Sequence, residues 1–218
     1  MKFSDDTMMV LKNFSEINPN IMFKEGTTLT TLAPTKQVMA KAVLKDTFPT
    51  KACVYDLSRF LATVSLIDNP DIDFEDDRFE IKNNRTHISY TYAAESMIIT
   101  SPKDELDMPE TFGTWKVSGD VLRNLTRAAG VLGLPEIEFK SDGQRFTVST
   151  VDSKNPNSDT YQEELDFFDS LPEFRITVNV ENLRLLPGDY DVSISENIVH
   201  FQGEDVEYWI AANSNGGK

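Results

Sequence analysis

A pattern of three parts occurs four times along the chain: an amphipathic helical stretch, a proline, and a segment in which apolar and polar residues alternate. The prolines are Pro19, Pro70, Pro135 and Pro187. Proline fits directly after a helix because it cannot continue one. Alternation such as "DIDF" (71–74) or "EIEF" (136–139) is typical of a half-buried antiparallel strand. The chain is therefore predicted to consist of four related helix–strand units.

The spacing between the four prolines alternates short, long, short, which indicates two units per domain and two domains in the chain. The long gap contains "SMIITSPKDELDMPETFG" (96–113), a polar segment with two prolines that is typical of a connector. We therefore expect an N-terminal domain at 1–96, a connector at 97–112 and a C-terminal domain at 113–218. The expected fold class is α+β, with two helices packed on antiparallel sheets in each domain.

Apolar residues at helical spacing predict three full helices and one short one. The full helices are expected at about 4–17, 56–66 and 117–130, and "ENLRLL" (181–186) is expected to form only a turn or two. Ser4 or Asp5 is a suitable N-cap for the first helix. The predicted core stripe of the third comprises Val121, Leu122, Leu125, Ala129 and Leu132.

The distribution of charge is uneven. The chain has 36 acidic and 21 basic residues and a net charge of −15, yet basic side chains recur on the predicted outer faces of all four helices. They are Lys12, Arg59, Arg123, Arg127 and Arg184. Such residues can simply be solvated helix surface. Because the bias recurs in so acidic a protein, the sequence favours a second interpretation: a basic face that attracts a polyanion where the shape lets it enter.

An enzyme finds little support in the sequence. His87 and His200 both lie in strand-like alternation, and Cys53 lies among apolar residues. No glycine-rich phosphate loop, paired-cysteine motif or metalloprotease motif occurs, and we expect no catalytic residue, metal or cofactor. A single cysteine permits no intrachain disulfide, which suits a reducing cytoplasm. The absence of a long apolar run and the strong negative charge predict no association with a membrane.

The order of these features resembles the DNA sliding clamps, specifically the trimeric clamps of T-even-type bacteriophages. The resemblance runs along the whole chain and is densest at "LKNFSEINPNIMFKEG" (11–26), "VYDLSRFLATVSLIDN" (54–69) and "ENLRLLPGDYDV" (181–192). It implies a non-enzymatic DNA polymerase processivity factor: a ring of three chains whose helices surround double-stranded DNA and whose sheets form the outside. It also implies a replicative polymerase that docks by its C-terminal tail, an ATP-driven clamp loader, a second role in late transcription, and a location in the cytoplasm of the infected host cell.

The resemblance assigns roles to individual residues. The DNA-facing residues would be Lys12, Arg59, Arg123, Arg127 and Arg184, with Lys2 and Lys116 as weaker candidates just ahead of helices. The polymerase tail would dock in an apolar pocket between the connector and the C-terminal domain. Its candidate residues are Met97, Ile98, Ile99, Tyr208 and Trp209.

Two segments are expected to form edge strands that pair between subunits, because an unpaired edge invites aggregation. They are "THISYTY" (86–92) and "DTYQEEL" (159–165), with Ser89, Tyr90, Tyr92, Tyr161 and Gln162 as the interface candidates.

One alternative from a different class stays open. An acidic protein can mimic DNA and inhibit a nucleic-acid-binding enzyme, which would account for the net charge. It accounts neither for the fourfold repeat nor for basic residues that recur on helices.

Overall fold

The computed structural model describes residues 1–213 and divides into two compact units, Met1–Glu105 and a second that begins at Leu106. The division falls inside the segment 97–112. Both units combine α-helix with antiparallel sheets, so the predicted α+β class is confirmed. No helix among residues 1–213 is both long enough and apolar enough to cross a membrane.

The first unit contains two α-helices, a 3-10 turn at Glu95–Met97, and seven strands. The helices are α1 (Asp5–Ile17) and α2 (Leu57–Val64). The strands are β1 (Ile21–Phe23), β2 (Gly26–Leu32), β3 (Val38–Phe48), β4 (Ala52–Val54), β5 (Asp71–Phe74), β6 (Arg78–Lys82) and β7 (His87–Thr91).

Both helices of the first unit begin where the sequence predicts. The Ser4 side chain accepts a hydrogen bond from the backbone N–H of Thr7, and Asp56 accepts one from Arg59, so each cap satisfies a donor that the first helical turn leaves unpaired. The helices pack against each other, and each buries an apolar stripe: Val10, Leu11, Phe14 and Ile17 on α1, and Leu57, Phe60, Leu61 and Val64 on α2. Strands β1 and β4 pair, as do β2 and β3, while β5, β6 and β7 form a three-stranded sheet.

A cluster of phenylalanines forms the core of the first unit. Phe23 lies in van der Waals contact distance of several other rings, including Phe48 with ring centroids 5.0 Å apart. The other members are Phe3, Phe60, Phe74 and Phe79. Such edge-to-face aromatic pairs stabilise a core beyond the area they bury.

The described part of the second unit contains one α-helix, a 3-10 turn and eight strands. The helix is α3 (Gly119–Leu132), capped by the Ser118 side chain and ended by Gly133 in the left-handed conformation, φ 67°. The strands are β8 (Thr111–Val117), β9 (Glu136–Ser141), β10 (Arg145–Val151), β11 (Tyr161–Phe167), β12 (Phe174–Asn179), β13 (Tyr190–Ser195), β14 (Ile198–Gln202) and β15 (Val206–Ala211).

Antiparallel pairing links the strands of the second unit into two groups. One sheet has the order β11-β10-β9-β12, and β15, β14, β13 and β8 are hydrogen-bonded neighbours in that order. Each of the four repeat prolines stands shortly before a strand: Pro19 before β1, Pro70 before β5, Pro135 before β9 and Pro187 before β13. The strand half of the predicted repeat is therefore present four times.

The short fourth helix expected at 181–186, of only a turn or two, is present only in part. Only a 3-10 turn forms, at Val180–Asn182, and the chain then continues without regular structure to β13. Two tyrosine hydroxyls form hydrogen bonds with the backbone of Leu186. Its N–H donates to Tyr208 Oη at 3.1 Å, and its carbonyl oxygen accepts from Tyr190 Oη at 2.6 Å. Pro187 also disfavours helical geometry at the residue before it. Arg184 therefore lies on an irregular segment and not on a helix.

Candidate nucleic-acid interface

The helices of the first unit present basic side chains on the faces that they do not bury. Lys12 on α1 and Arg59 on α2 are both exposed, while Phe14 and Phe60 on the opposite faces are fully buried. Two acidic residues of α1, Asp5 and Asp6, lie in its first turn, where the helix dipole favours them, whereas a third, Glu16, is exposed in its last turn. Glu16 follows Lys12 by four residues and the N-cap Asp56 precedes Arg59 by three, so each basic side chain has a carboxylate one helical turn away.

Helix α3 carries the two arginines that are four residues apart. Arg123 and Arg127 are exposed on the same face, and Leu122 and Leu125 on the other face are buried. The predicted stripe is only partly buried, because Val121 is half-buried and Leu132 is exposed. The guanidinium of Arg123 pairs with the carboxylate of Asp120 in the preceding turn, which partly neutralises the start of this face.

The three remaining basic candidates lie outside the α-helices. Lys2 is exposed ahead of α1, and Arg184 is exposed on the irregular segment after the 3-10 turn. Lys116 is exposed on β8, where its register partner on β13 is Asp191. The structure thus groups Lys12 and Arg59 on packed helices and Arg123 with Arg127 on one helix.

A cavity of about 430 Å³ opens beside α3 where the fourth helix was expected. It is lined by Leu122, Arg123 and Arg127 of α3 and, further along the sequence, by the apolar residues Leu183, Leu185, Leu186 and Pro187. No pattern in the sequence indicated this cavity.

The apolar connector residues are exposed on the first unit. Met97 ends the 3-10 turn and is 52% exposed, Ile98 is half-buried, and Ile99 is 39% exposed. The backbone of Ile99 is bound on both sides by buried asparagines: its N–H donates to Asn20 Oδ1 at 2.9 Å, and its carbonyl oxygen accepts from Asn18 Nδ2 at 3.2 Å. No pattern in the sequence indicated this contact between distant segments.

The two C-terminal members of the predicted pocket are not exposed, which corrects that part of the prediction. Tyr208 is 0% exposed and Trp209 is 4% exposed. The Tyr208 ring packs near Tyr190, and burial raises the pKa of both hydroxyls, that of Tyr190 to about 12. Trp209 stacks on His200 with ring centroids 4.7 Å apart. Tyr208 and Trp209 are consecutive on β15, so their side chains point to opposite faces of the sheet. Both are buried against residues of β13 and β14, and neither is available for a contact at the surface.

Both segments that were expected to be edge strands lie at sheet edges. Strand β7 is terminal in the order β5-β6-β7, and β11 is terminal in the order β11-β10-β9-β12, considering residues 1–213. The positions of the five interface candidates differ. Ser89 and Gln162 are exposed, whereas Tyr90, Tyr92 and Tyr161 are half-buried.

The half-buried tyrosines on β7 and directly after it, Tyr90 and Tyr92, pack within their own unit. The Tyr90 ring lies 5.2 Å from that of Phe60, and the Tyr92 ring lies 4.7 Å from that of Phe79. Burial raises the pKa of Tyr92 to about 12, with nearby carboxylates adding to the shift. The contacts that β7 can offer a neighbouring strand are therefore its backbone and its exposed side chains, such as Ser89.

Acidic and histidine side chains do not assemble into a metal site. In the described residues, no group of three or more His, Cys, Asp or Glu side chains is placed to hold an ion. Cys53 is buried, and burial raises the pKa of its thiol. His87 contacts Glu80 on the neighbouring strand, and His200 contacts Glu207 at 3.0 Å.

The arrangement of helices on antiparallel sheets is the fold of the DNA sliding clamps. A solved structure of A. fulgidus PCNA bound to the C-terminal region of FEN-1 superposes with a TM-score of 0.69 and 14% sequence identity, covering 96% of each chain. PCNA from Thermococcus kodakaraensis also gives a TM-score of 0.69, with 12% identity over 95% of this chain and 96% of that chain.

Sequence families identify the group within this fold. Residues 4–100 match the family described as DNA polymerase processivity factor, and residues 114–214 match the family described as gp45 sliding clamp, C terminal. The chain is 29% identical to the sliding clamp of Vibrio phage KVP40, over 98% of this chain and 100% of that protein. It is 26% identical to the sliding clamp of Enterobacteria phage T4, over 97% and 96%. The chain therefore belongs to the sliding clamps of T-even-type phages, a family of DNA polymerase processivity factors, which confirms the resemblance seen in the sequence.

Proposed function

We propose that three copies of this chain form a closed ring that encircles double-stranded DNA and tethers the replicative polymerase through its C-terminal tail. The ring catalyses no reaction. It raises the concentration of polymerase at the primer end, because a tethered partner rebinds as an intramolecular event. In this assembly, residues 97–112 serve as the connector between the domains at 1–96 and 113–218.

The observation that carries the proposal is the placement of basic side chains in an acidic protein. With a net charge of −15, the chain as a whole repels DNA, yet Lys12, Arg59, Arg123 and Arg127 are exposed on α-helices whose opposite faces are buried. Arg184, Lys2 and Lys116 are proposed as additional contacts from outside the α-helices. Each phosphate contact contributes about −0.9 to the salt slope of binding, so a few contacts give weak, sequence-independent association. A closed ring needs no more, because its topology keeps it on the duplex.

The partners of the ring are proposed from the family and from the exposed connector. The solved A. fulgidus PCNA is bound to the C-terminal region of another protein, which is a precedent for docking through a terminal peptide. Met97 and Ile99 are the exposed apolar side chains proposed to receive the polymerase tail here, with half-buried Ile98 between them. Opening of the ring by an ATP-driven loader, a second role in late transcription and a location in the host cytoplasm rest on the family alone.

Retention on DNA of different topology tests the function. Purified protein is loaded onto nicked circular DNA, and the fraction that stays bound is measured by gel filtration before and after the DNA is linearised. A ring stays on the circle and slides off the linear molecule, whereas equal retention on both forms would contradict encirclement. Light scattering of the protein alone should give the mass of a trimer. A stable monomer that inhibits the polymerase would instead favour an acidic DNA mimic.

A further inference from the structure

We propose that the turn Asn18-Pro19-Asn20 is a positioning device that fixes the connector at Ile99 and so presents Met97 and Ile99 to the polymerase tail. The proposal rests on the function proposed above and names the residues that prepare its docking site. None of the three residues of the turn contacts the tail directly in this scheme. They act through the backbone of Ile99.

The side chains of Asn18 and Asn20 are buried, and burying an amide costs free energy unless it forms hydrogen bonds. Asn18 is 1% exposed and Asn20 is 5% exposed. An amide removed from water without hydrogen bonds costs roughly 2–7 kcal/mol, so buried amides indicate specific partners. Asn18 Nδ2 donates to the carbonyl oxygens of Leu32 at 2.8 Å and Ile99 at 3.2 Å, and Asn20 Oδ1 accepts from the Ile99 N–H at 2.9 Å.

One asparagine is a hydrogen-bond donor to the backbone of Ile99, and the other is an acceptor. Asn18 supplies an N–H group to the Ile99 carbonyl, and Asn20 supplies an oxygen to the Ile99 N–H, so the pair satisfies this residue much as a neighbouring strand would. Asn18 Oδ1 in turn accepts from the backbone N–H of Asn20 at 3.0 Å, which fixes the two side chains relative to each other. With both backbone groups of Ile99 bound, its side chain and that of Met97 remain exposed.

The turn is itself held by both helices of the first unit. The Asn18 N–H donates to the Phe14 carbonyl oxygen at the end of α1, and the Leu57 N–H at the start of α2 donates to the Pro19 carbonyl oxygen at 2.7 Å. Proline between the asparagines further restricts the backbone. The connector is therefore bound to a rigid corner of the fold and not to a flexible loop.

Ion pairs also hold the connector region, but they are of a different kind. Lys24 pairs with Asp104 and Lys51 with Glu95 through side chains that are about half exposed or more, and mostly buried Lys41 pairs with exposed Glu105. Exposed pairs contribute about 0–1 kcal/mol and are screened by salt. The buried asparagine bonds are not screened in this way, so they should keep the connector in place at physiological and higher ionic strength.

The chemical difference between the two asparagines gives a test with a built-in control. The same substitution, asparagine to aspartate, should have opposite outcomes at the two positions. Asn20→Asp keeps the oxygen that accepts from Ile99. Asn18→Asp removes the donor and turns a carboxylate toward two carbonyl oxygens. Affinity is measured by fluorescence anisotropy with a labelled peptide, the C-terminal segment of the polymerase encoded in the same phage genome.

We expect Asn18→Asp and Asn20→Ala to weaken peptide binding by roughly tenfold, the equivalent of one lost hydrogen bond, while Asn20→Asp stays close to the parent protein. Light scattering should show that the assembly state is unchanged in all three variants. Hydrogen exchange should become faster at the Ile99 amide in Asn20→Ala and stay unchanged in α1. Loss of positioning would thereby be separated from general destabilisation.

Two results would overturn the inference. Equal peptide affinity for Asn18→Asp and Asn20→Asp would show that the donor and acceptor roles are irrelevant. Unchanged exchange at Ile99 in Asn20→Ala would show that the bond does not hold the connector. A parallel pair, Met97→Ala and Ile99→Ala, tests the docking site itself. If those variants bind the peptide like the parent, the proposed function is wrong about the site, whereas weakened binding there with unaffected asparagine variants refutes only the positioning role.

Discussion

Arg123 donates a hydrogen bond to the carboxylate of Asp120 three residues earlier on α3, so the basic face of this helix begins with a neutralised pair. Both side chains are largely exposed. Exposed pairs of this spacing stabilise a helix by only a few tenths of a kcal/mol. We therefore expect this pair to reduce the positive charge that Arg123 presents to DNA while contributing little to the free energy of unfolding.

Replacing Asp120 with Asn should strengthen association with DNA. The substitution leaves the Arg123 guanidinium available to a phosphate, so the slope of log affinity against log salt should become steeper by up to about 0.9. The free energy of unfolding should fall by about 0.3–1 kcal/mol, because Asp120 also interacts with the helix dipole. DNA binding over a salt series and urea unfolding would measure the two effects.

Asp5→Asn is the matched control for that change. Asp5 is also an acidic residue in the first turn of a helix, and it is exposed. Its replacement should cost similar stability through the dipole and raise DNA affinity less than Asp120→Asn does. An equal gain from both variants would mean that only the net charge matters and that the ion pair does not mask Arg123.

Charge reversal at both arginines of α3 should abolish productive loading. The double variant Arg123→Glu and Arg127→Glu replaces the guanidinium groups that are proposed to contact phosphates with carboxylates that repel them. Stability should change by less than about 0.5 kcal/mol, because both residues are exposed and away from the core. Stimulation of the polymerase should fall, and the defect should shrink as salt rises, because salt screens exposed charges.

Lys140→Glu with Lys154→Glu is the control for the loss of positive charge. Both lysines are exposed, one on β9 and one in the turn after β10, and neither lies on a helix. This pair makes the same change in net charge and should leave polymerase stimulation close to normal. If the α3 double variant supported processive synthesis as well as the parent at low salt, its basic face would be ordinary solvated surface.

Local patterns in the sequence predicted the parts of the fold that depend on neighbouring residues. The cap at Ser4, the positions of α1 and α2, and the strands after all four prolines follow from short-range rules of capping and periodicity. Two chain segments were also expected at sheet edges, and β7 and β11 lie there. These features share one property: each is determined by residues a few positions apart.

Features that depend on distant residues could not be predicted in this way. The segment 181–186 has helical spacing, but the hydroxyls of Tyr190 and Tyr208 bind the backbone of Leu186 and replace helical hydrogen bonds. Asn18 reaches Ile99 across 81 positions, and no local pattern in either segment indicates that contact. The burial of Tyr208 likewise depends on packing against other strands. The basic residues of the candidate site could therefore be predicted from the sequence, whereas the contacts that surround them and the connector required the structure.

Proline at either proposed interface edge should prevent assembly of the ring. Ser89→Pro in β7 and Gln162→Pro in β11 each remove a backbone donor from a strand at a sheet edge. Light scattering should report a monomer, and circular dichroism should remain native-like, because proline is tolerated in edge strands. A stable trimer from both variants would place the subunit interface elsewhere on the chain.

The pH dependence of stability should identify His200, which stacks on Trp209 and lies 3.0 Å from a Glu207 oxygen. Burial lowers the pKa of His200, and the Glu207 carboxylate only partly opposes that shift. As the pH falls below about 6.5, the unfolded chain therefore takes up a proton that the folded chain resists, so the free energy of unfolding should decrease and then level off below the lowered pKa. Urea unfolding followed by tryptophan fluorescence between about pH 8 and pH 5 would measure this slope. In His200→Gln the slope should become shallower, and in His87→Gln, which replaces the exposed histidine of β7, it should persist. If both variants kept the parent slope, the groups that destabilise the protein in mild acid would be carboxylates and not His200.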